Sequence, residues 1–252
     1  MFDPAACTTA LIDWIGEHFA SLEDPNARAL IWINGGSDST IAAKCLCEAL
    51  GPDRVWGFAV DTGKPEYMGD IERVFDLLHI YPAKINFYAL YHYLQLSKAA
   101  PFRADQFKLY FQKEIDPNLI SFILFNHAKD TDDLVCSFKN LSDIYLGWCA
   151  PYIYSQGDFF TFCNLTKTEV LAIGNYLELP VDIVNKCPRD PYFANKTDED
   201  KFGFTYAVLD EYIRTGVCSD LEIKTRIDSL HYLVADDIIT LPQFDPSDFI
   251  VP

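Results

Sequence analysis

The residues of this chain best suited to chemistry are gathered in Asn34-Gly35-Gly36-Ser37-Asp38-Ser39-Thr40. Glycines allow positive φ and let a ligand approach the backbone closely. A helix starting just past them offers unpaired N–H groups and the positive end of its dipole. Together these make an anion site suited to phosphate or pyrophosphate. Ser37 and Ser39 add hydroxyl donors, and Asp38 adds a hard oxygen through which magnesium could accompany the phosphates. The loop is neither a Walker A motif nor a Gly-x-Gly-x-x-Gly fingerprint, and glycines at a strand-to-helix turn also serve as a turn alone.

The flanking segments must present that loop. Residues 29–33 form an apolar, β-branched run that predicts a buried strand, and residues 41–50 predict a helix. Residues 55–60 read as a second strand with the exit loop Asp61-Thr62-Gly63-Lys64-Pro65. Exit loops of parallel strands bind ligands in open α/β sheets, but Asp61 and Thr62 read equally well as a helix cap. Residues 69–78 predict a helix, 83–87 a third strand and 134–138 a further one. The alternation implies right-handed crossovers and a parallel sheet. An amphipathic helix is expected at residues 7–22, and an aromatic-rich helical stretch at 88–129. His92 and His127 lie among apolar residues and read as core or surface histidines. Thr166-Lys167-Thr168-Glu169 has the form of a capping box, and Ser219-Asp220-Leu221-Glu222 repeats it before a last helix reaching about residue 234. Residues 240–252, with three prolines, read as a tail.

The 252 residues suit a single domain, 1–252, with half the residues hydrophobic and an ordinary share charged. No apolar run reaches the roughly 18 residues of a membrane span, and the acidic start lacks the basic region of a signal peptide. A cytoplasmic location is expected. The net charge of −17 opposes binding to nucleic acid or anionic membranes. Eight cysteines without a Cys-x-x-Cys pair read as buried thiols rather than a disulfide or zinc framework.

Four blocks, in order, resemble the ammonia-dependent NAD synthetases, within the wider group of N-type ATP pyrophosphatases. The loop at Asn34 resembles that group's Ser-Gly-Gly-x-Asp-Ser. Asn140-Leu141-Ser142-Asp143 with Gly147-Trp148 is similar to Asn-x-Ser-Glu-x-x-x-Gly-Tyr. Asn164-Leu165-Thr166-Lys167-Thr168-Glu169-Val170 is similar to Asp-Leu-Thr-Lys-Thr-Glu-Val. Lys186-Cys187-Pro188, then Thr197-Asp198-Glu199 with Tyr206 and Asp210, is similar to Lys-x-Pro followed by Gln-Thr-Asp-Glu, Tyr and Asp.

The resemblance implies a three-layer α/β sandwich with a mostly parallel sheet flanked by helices, of the adenine nucleotide alpha hydrolase kind, in a homodimer. It also implies a reaction in which the carboxylate of deamido-NAD attacks the α-phosphorus of ATP, pyrophosphate leaves with magnesium, and ammonia displaces AMP to form the amide. No cysteine-led glutaminase segment is legible, so free ammonia or a separate partner is the expected nitrogen source. The alternatives are a non-catalytic nucleotide-binding homologue, or a related adenylating amidoligase acting on another acid.

Carried over residue by residue, Asn34, Gly35, Gly36, Ser37, Asp38 and Ser39 should hold the polyphosphate of ATP, with Asp38 and Asp143 on magnesium. Lys186 should neutralise phosphate charge. Asp158, Thr197, Asp198 and His231 fall on the substrate side. Departures accompany the match. Asn34 replaces a serine, and Ser137-Phe138-Lys139 stands where the family has Gly-Thr-Gly. Ala150-Pro151-Tyr152-Ile153-Tyr154 stands for Thr-Lys-Tyr-Gly-Asp, and Phe122 for an arginine. His231-Tyr232 stands for a His-Lys pair. Most of these losses fall on the acid side, so ATP binding is the firmer expectation.

Overall fold

Alternate residues of strand β1 (Ala29–Trp32) enter different apolar layers, Ala29 and Ile31 into one and Leu30 into the other. That is the pattern of a strand buried on both faces. The computed structural model describes residues 2–61, 65–86, 116–147, 157–186, 197–231 and 241–250. Four further strands, β2 (Val55–Asp61), β3 (Tyr81–Asn86), β4 (Leu134–Ser137) and β5 (Phe159–Phe160), pair in parallel in the order β3-β2-β1-β4-β5. Ile31 stands opposite Gly57 on one side and Cys136 on the other. Connections diverge on either side of β1, and this leaves a crevice between the carboxyl ends of β1 and β4, where α/β sheets bind ligands.

The helices in chain order are α1 (Pro4–Ala20), α2 (Ser37–Leu50), α3 (Pro65–Leu78), α4 (Asp116–Thr131), α5 (Leu141–Tyr145), α6 (Lys167–Tyr176), α7 (Val181–Val184), α8 (Asp198–Phe202), α9 (Tyr206–Thr215) and α10 (Leu221–His231). Helices α1, α2, α3 and α6 bury Leu11, Ile41, Phe75 and Ile173 against one face of the sheet. Leu124 and Ala128 of α4 cover Leu30, Phe58 and Val135 on the other. The expected three-layer sandwich is therefore present. A separate cluster of Leu146, Phe202, Phe204, Tyr206, Leu209 and Ile227 holds α8, α9 and α10 together.

Several boundaries differ from the sequence reading for local reasons. Helix α1 begins at Pro4 because the Asp3 carboxylate accepts from the N–H groups of Ala5 and Ala6. Strand β3 starts at Tyr81, whose ring stacks on Trp56 of β2 at 4.2 Å. The capping box at Thr166 forms, with the Thr166 N–H donating to Glu169 at 2.7 Å. At α10 the cap is Asp220, which accepts from Glu222 and Ile223, and not Ser219. Expectations for Thr62, Gly63, Lys64, His92, residues 148–154, Cys187, Pro188 and Tyr232 lie outside the described residues. Among the described residues no helix is long and apolar enough to cross a membrane.

Candidate active site

Gly35 turns the chain out of β1 with φ +69°, a conformation side chains rarely adopt, and Gly36 starts α2 without a side-chain cap. The shape of this turn depends on Asn34. Its Oδ1 accepts from the Gly36 N–H at 2.9 Å and from the Ser39 hydroxyl at 2.7 Å. The asparagine thus closes the loop from inside, which a serine, with its shorter side chain, would not reach in the same way. Ser39 is turned inward and fully buried, so its hydroxyl serves the loop, while Ser37 and Asp38 stand at the first turn of α2.

Two carboxylates meet in front of that turn. Asn140 caps α5, accepting from the Asp143 N–H at 2.9 Å, and its Nδ2 donates to Asp38 Oδ2 and Asp143 Oδ2 at 3.1 and 3.0 Å. The Tyr206 hydroxyl donates to the other Asp143 oxygen at 2.9 Å. Burial pushes the Asp143 carboxyl up, with Asp38 adding repulsion and Lys139 and Lys167 opposing. Burial and the Asp143 charge also raise the Tyr206 phenol, which therefore stays a donor. Two carboxylates held by one amide suit a hard divalent cation such as magnesium, which uses one or two carboxylates and completes its shell with phosphates and water. Among the described residues no three metal-binding side chains gather, so a cage made of protein alone is not built there.

Two lysines flank the loop. Lys167, only 4% exposed, donates to Ser37 Oγ at 3.0 Å and pairs with Asp38 at 2.5 Å. Its own N–H donates to Ser142 Oγ, whose hydroxyl bonds the buried Asp210, and Asp210 also accepts from the Thr168 N–H. The beginnings of α2, α5 and α6 are thereby drawn together, each presenting its positive end. Lys186 donates to the Gly35 carbonyl at 2.7 Å and pairs with Asp70 of α3 at 2.6 Å. It grips the loop at its backbone and has no contact with Asp38.

The substrate-side expectations are placed less centrally. Asp158 sits beside the first residues of β4, accepting from the Val135 N–H at 2.8 Å, and burial raises its carboxyl. It is not brought to the loop, because that N–H lies toward the opposite end of the sheet. Thr197 caps α8, and Asp198 pairs with Lys201 at 2.9 Å. The His231 ring stacks on Tyr145 at 3.8 Å, and its Nδ1 is 2.9 Å from the Tyr145 carbonyl. Phe122 points outward from α4 with 66% of its surface exposed.

Sequence reasoning assigned no role to Lys167, Asn140 or Tyr206. Each lay within a quoted block, but Lys167 was absorbed into a capping pattern. Only the contact of α6 with α2 reveals that the first residue of one helix reaches the first turn of another.

The comparisons with known proteins agree with this architecture. A model of the NAD synthase family matches residues 8–238. The NH(3)-dependent NAD(+) synthetase of Carboxydothermus hydrogenoformans is 29% identical over 213 residues, 83% of this chain and 85% of its own length. That of Methanoregula boonei is 26% identical over 225 residues, 84% and 89% respectively. Among solved structures, the NMN synthetase from Francisella tularensis has a TM-score of 0.78 at 22% identity, over 92% of this chain and 94% of that one. An NAD+ synthetase from Burkholderia pseudomallei has a TM-score of 0.72 at 17% identity, over 92% and 88%. At these identities the solved structures speak for the fold.

Proposed function

The chain belongs to the NAD synthase family, and from that premise we propose that it is an ATP-dependent amide-forming ligase that converts deamido-NAD to NAD with ammonia. The observation that carries the reading is the meeting of Asp38, Asp143 and Lys167 at the first turn of α2. A carboxylate is not amidated at neutral pH without activation. In the first step its oxygen bonds the α-phosphorus of ATP and the bond to pyrophosphate breaks. In the second, ammonia attacks the carbonyl carbon, AMP leaves and a proton is lost.

The chain's own residues serve the first step by stabilising charge on the leaving group. The open end of α2 and the Lys167 ammonium face the polyphosphate, and Lys186 fixes the Gly35 carbonyl so that the loop keeps its shape. Asp38 and Asp143 would hold magnesium, which when bound neutralises phosphate charge and orients the pyrophosphate. Asn140 and Tyr206 keep the two carboxylates aimed. A homodimer and a cytoplasmic location complete the proposal.

The test is incubation of the purified protein with ATP, magnesium, ammonia and deamido-NAD, following AMP and NAD by chromatography. NAD formation supports the proposal, and its absence with AMP release from another acid replaces deamido-NAD as the substrate. A second acid is worth including because Phe122 stands where the resembled pattern has an arginine, and because a solved structure of the same fold is an NMN synthetase. Nicotinic acid mononucleotide is that acid.

A further inference from the structure

The crevice between β1 and β4 has two walls, the phosphate loop after β1 and the turn Phe138-Lys139-Asn140 after β4. Lys139 stands on the second wall and is half-buried. On one side of it, Asn140 touches both Asp38 and Asp143. On the other, the Phe138 ring lies 6.3 Å from that of Trp32 at the end of β1. Lys167 and Lys186 each have an acidic partner at this site, whereas Lys139 forms no hydrogen bond or ion pair among the described residues. Its charge is nonetheless felt by Asp143 more strongly than that of Lys167. The pattern that this block resembles has a glycine at position 139, so the cation distinguishes this chain. A half-buried lysine with no ion pair among the described residues, in a chain of net charge −17, is a cation placed for an anionic ligand.

We propose that Lys139 binds polyphosphate: its ammonium meets, from the β4 wall, the phosphate oxygens of ATP seated on the first turn of α2, and stays with the pyrophosphate as it leaves. The proposal rests on the ATP reading above. A charged hydrogen bond of this kind supports about a tenfold difference in affinity.

Calorimetric titration of the protein with ATP, AMP, inorganic pyrophosphate and deamido-NAD, each with magnesium, tests it. In Lys139→Gln, affinity for ATP and for pyrophosphate should fall about tenfold while affinity for AMP and the melting temperature hold, and Lys139→Arg should restore both affinities. Unchanged ATP and pyrophosphate affinities overturn the proposal. So does a loss confined to deamido-NAD, which would assign the lysine to the acid's own pyrophosphate. If the wild-type protein takes pyrophosphate but not ATP, the ATP reading fails, and the pyrophosphate arm still decides the role of Lys139.

Discussion

Asn140 Nδ2 lies 3.1 Å from Asp38 Oδ2 and 3.0 Å from Asp143 Oδ2, so one amide holds together two carboxylates that belong to different helices. The same side chain caps α5. Asn140→Ala removes both functions. Loss of the cap should cost about 1 kcal/mol, or about 2 to 4 °C in melting temperature. The magnesium concentration giving half-maximal AMP release should rise about tenfold, the usual effect of losing a residue that aims metal ligands. Initial rates across a magnesium series check this, and an unmoved midpoint would remove Asn140 from the metal site.

Lys167 and Lys186 should fail differently. Lys167 is buried and its partner Asp38 only slightly exposed, so Lys167→Met leaves a carboxylate without its partner and should cost about 3 kcal/mol of stability together with most AMP formation. The Lys186–Asp70 pair is over a third exposed on each side. Lys186→Met should change stability by less than about 1 kcal/mol while slowing adenylation, because the loop loses its grip at Gly35. Thermal melting and AMP release measured side by side separate the two, and equal melting losses would contradict the difference in burial.

The raised Asp143 carboxyl gives a pH dependence with a definite sign. Metal binding needs the carboxylate, so magnesium affinity should improve as pH rises through the raised value and flatten above it. In the metal-free protein the folded state holds a proton that the unfolded chain releases earlier. Asp143 therefore weighs against folding progressively as pH climbs from the ordinary carboxylate range through that raised value. Tyr206→Phe removes a hydrogen bond to the charged form and should move the magnesium profile to higher pH. Magnesium titrations over a pH series would show a shift to lower pH if Tyr206 had the opposite influence.

Two glycines give stability predictions of opposite sign. A Cβ at Gly174 would lie 2.7 Å from Ile41 Cδ1, where α6 crosses α2, so Gly174→Ala should cost about 1 to 3 kcal/mol. Gly16, inside α1, has nothing within 4 Å of such a Cβ, and Gly16→Ala should gain up to about 1 kcal/mol. Urea denaturation of both variants checks the pair.

The parallel sheet and the phosphate loop were legible because they rest on local signals: an apolar run, two glycines and a helix-forming segment in direct succession. Asp143 was legible only through resemblance, since nothing in its spacing from Asp38 announces that α5 and α2 start side by side. The place of Asp158 was not legible, because its neighbourhood in the chain does not reveal which end of β4 it faces. Asn34 shows the converse. As a departure from a pattern it read only as a bulkier phosphate contact, whereas its amide oxygen also organises the turn, a role visible only once Gly36 and Ser39 are seen around it.

The apolar cluster of α8, α9 and α10 joins the rest of the protein through a few polar contacts, among them Ser142 to Asp210, Tyr206 to Asp143 and the Arg214–Glu169 ion pair. One of those links ends on a proposed metal ligand. Segments attached mainly by a few polar contacts open as separate cooperative units at free energies below that of global unfolding. The backbone amides of α9 are thus natural reporters. Their hydrogen exchange should slow when Asp143 is charged and engaged, and quicken when it is not, carrying news of the crevice along a helix that meets it at its first residue, Tyr206.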